Sequence, residues 1–249
     1  MRFTGIIPAR YASIRFPGKP LADIGGKPMI QRVYEQANKQ LEHVIVATDD
    51  ERIEKAVKAF GGNVAMTSGY HRSGTDRCAE VLSMLEKEGI NVPDVVINIQ
   101  GDEPFIQPAQ IAKLMQCFDP PGAEIATLVK PIEEPEDIFN PNKPKVILNS
   151  NSEAIYFSRS PIPYVRTFKK EEWVTKHTYY KHIGMYAYRS DILKKLTRLK
   201  PSVLEMAESL EQLRWIENGY RIKVNITNEE TLGIDTPEDL EEIKRAGLL

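Results

Sequence analysis

Apolar and polar positions alternate along this chain with two periods, and the first to appear is that of a buried strand. Phe3 to Pro8 is a short apolar run, too short for a helix and bounded by polar residues. Ile30, Val33, Tyr34 and Ala37 then recur three and four apart, which predicts a helix over Pro28 to Gln40. His43 to Thr48 reads as a second strand, Asp49 and Asp50 as caps for a helix over Glu51 to Phe60, and Gly61-Gly62 as its end. Ser73-Gly74-Thr75-Asp76 is a capping box ahead of a helix over Thr75 to Glu88. A strand over Val95 to Gln100, a helix over Pro108 to Cys117 and a strand over Ile125 to Val129 continue the series. Strands alternating with helices imply a mostly parallel sheet covered on both faces.

The pattern changes near Pro131. Ile132 to Lys145 is rich in Pro, Glu and Asn and reads as a loop. Val146 to Leu148 and Ala154 to Phe157 read as short antiparallel strands around an Asn-Ser turn, and Pro161 to Thr178 as irregular, charged chain. His182 to Tyr188 alternates as a strand, which puts His182, Gly184, Tyr186 and Tyr188 on one face. One amphipathic helix is expected over Leu204 to Asn218, burying Leu204, Ala207, Leu210 and Leu213, with a strand over Ile222 to Ile226 and a closing helix over Pro237 to Ala246. The fold class is therefore a three-layer α/β domain with a mixed, mostly parallel sheet and a smaller β-rich insert at about 131–190.

The length of 249 residues suits one such domain, and a chain of this size buries about 70–75% of its unfolded surface without a disulfide or metal staple. Lys+Arg total 33 against 35 for Asp+Glu, a balance without the basic footprint of a nucleic-acid binder. The two cysteines, Cys78 and Cys117, are far apart in sequence, which suits a reducing, cytoplasmic compartment. No signal-peptide anatomy precedes the first strand, and no apolar run approaches the ~20 residues of a membrane span.

The chemistry concentrates in the loop after the first strand. Arg10, Arg15 and Lys19 lie within it, where open α/β sheets bind ligands, and small residues with Gly18 let backbone approach an anion. Three cations on one loop repel one another unless an anion such as a triphosphate neutralises them. A Walker A motif is excluded, because Pro28 follows Gly26-Lys27, and there is no GxGxxG. Two further carboxylates fall at strand ends. Asp102, followed by Glu103, sits just past Val95 to Gln100, and Asp235 follows the strand-like turn Thr231-Leu232-Gly233-Ile234. Each suits a hard metal ion. Each also has a structural alternative: Asp102 can satisfy turn amides, and Asp235 can serve the helix start Thr236-Pro237-Glu238-Asp239.

Pro8-Ala9-Arg10, Ser13 and Arg15-Phe16-Pro17-Gly18-Lys19-Pro20-Leu21 resemble the signature of the cytidylyltransferases that activate acidic sugars. Further matches are His71-Arg72-Ser73-Gly74-Thr75-Asp76-Arg77, Asn98-Ile99-Gln100-Gly101-Asp102-Glu103-Pro104, Tyr156-Phe157-Ser158-Arg159, His182-Ile183-Gly184, Leu210-Glu211-Gln212-Leu213-Arg214 and Gly233-Ile234-Asp235-Thr236-Pro237. Together these resemble the branch of that family that activates 3-deoxy-manno-octulosonate (Kdo) for lipopolysaccharide, and the His182-Ile183-Gly184 and Leu210-Glu211-Gln212-Leu213-Arg214 groups favour that branch. The resemblance implies a Rossmann-like nucleotidyltransferase fold, CTP and Kdo as substrates, and a homodimer. It also implies Mg2+ held by Asp102 and Asp235, with Arg15 and Lys19 joining them in catalysis. The triphosphate would lie on Pro8, Ala9, Arg10, Arg15 and Lys19, and the base on Ser73, Gly74, Arg77 and Gln100, while Arg72 receives no role. The sugar would lie on His182, Tyr186, Glu211 and Gln212, with Arg159 or Arg166 on its carboxylate. Nearby alternatives are sialate or an amino analogue of Kdo as acceptor. A nucleotide-sugar glycosyltransferase normally carries a DxD motif, which Asp102-Glu103-Pro104 is not. Asp102, Asp235 and Lys19 together speak against an inactive nucleotide-binding module.

Overall fold

The opening apolar run forms β1 (Phe3–Ala9), which is almost wholly buried. In the computed structural model, residues 1–13, 15–89, 92–119, 122–230 and 232–247 are described. The chain separates into two compact units, Met1–Ala112 with Thr231–Leu249, and Lys113–Glu230. The expected insert at 131–190 falls within the second.

In the first unit β1 is followed by α1 (Met29–Asn38), β2 (Val44–Thr48), α2 (Glu51–Ala59), β3 (Val64–Met66), α3 (Gly74–Glu88) and β4 (Val95–Asn98), and α4 (Pro108–Gln116) begins in this unit and ends in the second. β1 pairs parallel with β2 on one side and with β4 on the other, and β2 carries β3. Ala9, Thr48 and Asn98 therefore end on the same edge, and the loops that follow them meet there. The predicted helices bury the faces expected: Ile30, Val33, Tyr34 and Ala37 in α1, and Val81 and Leu82 in α3. The capping box of α3 is formed through Ser73 and Asp76. The sequence pattern missed β3, a three-residue strand that is only half buried. Of the two expected caps of α2, Asp50 accepts the Arg52 backbone N–H, while Asp49 pairs with Arg77 instead.

The second unit is built around β5 (Ile125–Pro131). It comprises α5 (Pro135–Phe139), β6 (Lys145–Leu148), β7 (Ala154–Ser158), α6 (Trp173–Lys176), β8 (Tyr180–Arg189), α7 (Ser190–Leu196), α8 (Val203–Glu208), α9 (Gln212–Glu217) and β9 (Ile222–Ile226). β5 pairs antiparallel with β8 and parallel with β9, and β6 pairs antiparallel with β7 and β8. The hairpin expected around the Asn-Ser turn is β6–β7.

Three expectations are corrected here. Ile132 to Lys145 is not all loop, because Pro135 opens α5. Pro161 to Thr178 is not wholly irregular: Trp173 begins α6, is 2% exposed, and packs with Ile132, Ile138 and Tyr179. Leu204 to Asn218 is not one helix. It breaks at Ser209, which adopts φ +52, so α8 and α9 are separate and Ala207 faces solvent.

The chain closes in the first unit with α10 (Pro237–Arg245). Leu240 and Ile243 of this helix pack with Ile24, Met29 and Ile234. Among the described residues no helix is long and apolar enough to cross a membrane.

Candidate active site

The loop that leaves β1 is folded back on itself by its own backbone. Tyr11 O accepts hydrogen bonds from Ser13 N at 3.0 Å and Gly18 N at 2.9 Å. Gly18 takes φ +74, which favours glycine, and a Cβ there would meet the Tyr11 ring at 3.0 Å. The same ring carries the Arg52 guanidinium, 3.3 Å from its centroid. Asp50 in turn holds Arg52 at 2.6 Å. The loop is thereby clamped between its own glycine and the first turn of α2. Ile14, within the loop, lies outside the described residues.

The loop forms one wall of a cavity of about 250 Å³ lined by Pro8, Ala9, Arg10, Ser13, Arg15 and Lys19. Gly101 allows its close approach from β4, since a Cβ there would lie 2.8 Å from the Pro8 carbonyl oxygen. Gln100 and Asp102 line the floor beside it, and Ser73, Gly74 and Arg77 bring in the start of α3. All nine residues expected to bind the nucleotide therefore line one cavity. His71 and Arg72 line it too. The sequence reading gave them no role.

Lys19 organises the charged side. Its side chain is only 14% exposed, and the ammonium donates to Asp102 Oδ2 at 2.7 Å and to Asp235 Oδ1 at 3.2 Å. Arg15 Nη1 reaches Asp235 Oδ2 at 3.0 Å. Ile234 N donates to Asp102 O at 2.9 Å, which ties the two carboxylate segments together. The first residue of the expected strand-like turn, Thr231, lies outside the described residues.

The structure speaks to one of the two roles open to Asp235, support of the helix start. The N-cap of α10 is Thr236, and the Asp239 carboxylate accepts from both Asp235 N and Thr236 N at 2.8 Å. The helix start is thus satisfied without the Asp235 side chain, which faces Lys19 and Arg15. Asp102 likewise turns its carboxylate to Lys19. Among the described residues no three His, Cys, Asp or Glu side chains gather as a metal cage. A pair of carboxylates fits Mg2+ all the same, because that ion keeps water and substrate phosphates as its remaining ligands.

Arg77 and Ser73 are already engaged in this state. Arg77 is buried and donates to Thr67 Oγ1 and, at 3.0 Å, to Asp49. Ser73 Oγ accepts Asp76 N at 3.2 Å.

The expected sugar residues all belong to the second unit, where an aromatic and polar cluster forms on β8 and α9. His182 Nε2 lies 3.0 Å from Thr127 Oγ1, and burial pushes its pKa down to about 3, so the imidazole is neutral. His182 and Tyr186 rings are 5.1 Å apart, and Tyr186 meets Trp215 edge-on at 5.0 Å. Burial raises the Tyr186 phenol well above its ordinary pKa. Gln212 is 5% exposed, not on an open helical face. Gln212 Nε2 and Trp215 Nε1, one turn apart on α9, are buried with no hydrogen-bond partner among the described residues. Unsatisfied buried donors of this kind call for a ligand or water oxygen.

Arg159 and Arg166 sit differently from one another. Arg159 donates to three carbonyls, Glu208 O at 2.7 Å, Pro141 O at 2.8 Å and Ser209 O at 3.3 Å. It clamps the helix break that sets Glu211 and Gln212 at the head of α9. Arg166 is exposed in a turn.

The cytidylyltransferase family model matches residues 4–226. A protein of Parabacteroides distasonis named 3-deoxy-manno-octulosonate cytidylyltransferase is 64% identical over 97% of this chain and 96% of its own length. The namesake from Aliivibrio fischeri is 51% identical over 98% of both chains. This chain belongs to the cytidylyltransferase family. Among solved structures, CMP:2-keto-3-deoxy-manno-octonic acid synthetase complexed with CTP superposes with a TM-score of 0.90 at 45% identity, covering 100% of this chain and 99% of that one. The 4-diphosphocytidyl-2C-methyl-D-erythritol synthase of Anaerococcus prevotii, at 13% identity and TM-score 0.63, shares the fold. The α/β nucleotidyltransferase architecture expected from the sequence is the one observed.

One carboxyl of this cytidylyltransferase site is out of balance. Glu103 Oε2 is buried without a hydrogen-bond partner. Burial first, and then the Asp102 charge, push its pKa up to about 8. The folded protein therefore holds a proton that the unfolded chain releases near pH 4.5, and stability falls as pH rises between about 4.5 and 8. Glu103→Gln should abolish that decline. Thermal melts from pH 5 to 9 should show the variant gaining several degrees on the parent at the alkaline end and little at pH 5. Parallel curves would mean that the carboxyl ionises freely in the folded state.

Proposed function

We propose that this cytidylyltransferase transfers CMP from CTP to the anomeric hydroxyl of Kdo, releasing pyrophosphate, in a Mg2+-dependent reaction. The observation that carries this reading is the Lys19 ammonium held between Asp102 and Asp235 in the cavity at the end of β1. A cluster of cations and carboxylates at one point suits a metal–triphosphate, which carries both charges. The choice of CTP and Kdo is supported by relatives at 51–64% identity that bear that name, and by the CTP complex of a 45% identical synthetase.

In the reaction the anomeric oxygen forms a bond to the α-phosphorus as the bond from that phosphorus to the pyrophosphate oxygen breaks. Lys19, Arg15 and Arg10 hold the polyphosphate and stabilise the charge that grows on the leaving group. Asp102 and Asp235 would hold Mg2+, which supplies Lewis-acid stabilisation of phosphate charge. Pro8 and Ala9 would line the polyphosphate with Lys19, Arg15 and Arg10, and Ser73, Gly74, Arg77 and Gln100 would seat the base. His182, Tyr186, Glu211 and Gln212 would hold the acceptor hydroxyls, supported by the unsatisfied donor of Gln212. Arg166 is the guanidinium left to meet the acceptor carboxylate, because three carbonyls occupy Arg159. The same reading makes the enzyme a cytoplasmic homodimer; Val203 and Met206 of α8, 73% and 64% exposed, offer apolar surface for it.

Pyrophosphate release should require CTP and Kdo together, with ATP and GTP much poorer donors. Equal or better turnover of a sialic acid would overturn the acceptor while leaving the chemistry intact.

Asp235→Asn tests the carboxylate pair. Because Thr236 and Asp239 cap α10, the variant should melt close to the parent. Its kcat/KM should drop on the order of 100-fold, as for loss of one preorganised electrostatic group, and Asp102→Asn should match it. Full activity of folded Asp235→Asn across a Mg2+ titration would remove Asp235 from the metal site.

A further inference from the structure

Most basic side chains around the nucleotide cavity already have a partner. Arg77 is paired with Asp49, His71 with Glu80, Lys19 with Asp102 and Asp235, and Arg15 with Asp235. Arg10 and Arg72 line the same cavity and are exposed. Neither has an ion pair or hydrogen bond among the described residues. Arg10 belongs to the loop expected to bind phosphate. Arg72 does not, and nothing in the fold accounts for it.

Its position makes the question sharper. Arg72 immediately precedes Ser73, the N-cap of the 15-residue helix α3. The start of a helix carries partial positive charge, so an arginine there works against the helix field. The acid of the first turn, Asp76, is spent on the capping box with Ser73. Arg10, Arg15, Lys19 and Arg72 also outnumber the two carboxylates, Asp102 and Asp235, that answer them. The free protein thus holds uncompensated positive charge on the cavity wall, and Arg72 adds to it without a structural return.

We propose that Arg72 is a nucleotide-binding residue whose guanidinium contacts the polyphosphate of the bound nucleoside triphosphate. The inference rests on the CTP reading above and adds a contact to it. A planar fork of N–H donors suits two phosphoryl oxygens at once, and an anion there offsets both the surplus of cations and the unfavourable helix-end charge. The signature is a pair of effects that a structural arginine would not produce: its removal weakens nucleotide binding and does not weaken the free fold.

The experiment compares Arg72→Gln, Arg72→Ala and Lys19→Ala with the parent. Calorimetric titrations use CTP, CMP and inorganic pyrophosphate in Mg2+, with a melt of each ligand-free protein. CTP and pyrophosphate affinity should fall about tenfold in both Arg72 variants, as for loss of one charge-assisted contact, while CMP changes by less than about twofold. The ligand-free Arg72 variants should melt no lower than the parent. Unchanged CTP affinity in both Arg72 variants, with Lys19→Ala weakened, overturns the proposal and leaves the nucleotide reading standing. If Lys19→Ala also binds CTP unchanged, both fall. Equal loss of CMP and CTP moves the contact to the nucleoside, and a lower melt with normal CTP affinity assigns Arg72 to structure; either overturns the proposal.

Discussion

The first unit depends on one ammonium group. Lys19 binds Asp102 and Asp235, which lie 83 and 216 residues away in sequence, so a single side chain joins the loop after β1, the end of β4 and the segment before α10. Two carboxylates that share one ammonium repel each other, and the partly buried lysine between them offsets that repulsion in the free protein. Because Lys19 is only 14% exposed, its attraction is less screened than that of a surface pair. The same geometry makes the site responsive to ligand. A triphosphate offers the ammonium a competing anion, and a metal ion offers the carboxylates a competing cation.

Everything around that point serves to keep the loop in place. Arg52 and Gly18 both pack against the Tyr11 ring, which ties the two arms of the loop to each other and to α2. Gly101 removes the side chain that would collide with the Pro8 carbonyl. These contacts do not involve Arg10, Arg15 or Lys19. The balance of those charged groups changes when the nucleotide arrives. A rigid loop carrying unbalanced cations is the arrangement that electrostatic preorganisation requires.

In the second unit the deciding element is a break. Ser209 takes a left-handed conformation, and Arg159 holds it by donating to the carbonyls of Glu208, Ser209 and Pro141. Had the helix continued, Gln212 would have lain off the buried stripe. The break rolls α9 so that Gln212 and Trp215 are buried with unsatisfied N–H groups, Trp215 against the Tyr186 ring.

Local chemistry made much of this legible from the chain alone. The alternation of strands and helices, the capping box at Ser73 and the cations of the first loop are properties of neighbouring residues, and neighbouring residues determine them. The short strand β3 and the break at Ser209 were not legible: three half-buried residues carry no period, and Leu204 to Asn218 keeps a helical spacing across its break. Asp235 was legible as a carboxylate at a strand end but not as a partner of Lys19, because the same sequence also reads as a helix cap. Only the fold, by giving that cap to Thr236 and Asp239, left the Asp235 side chain to face the ammonium. Arg72 is the same case from the other side. Its charge is written in the sequence, but the missing counter-charge depends on where every nearby carboxylate has gone, and tertiary structure alone decides that.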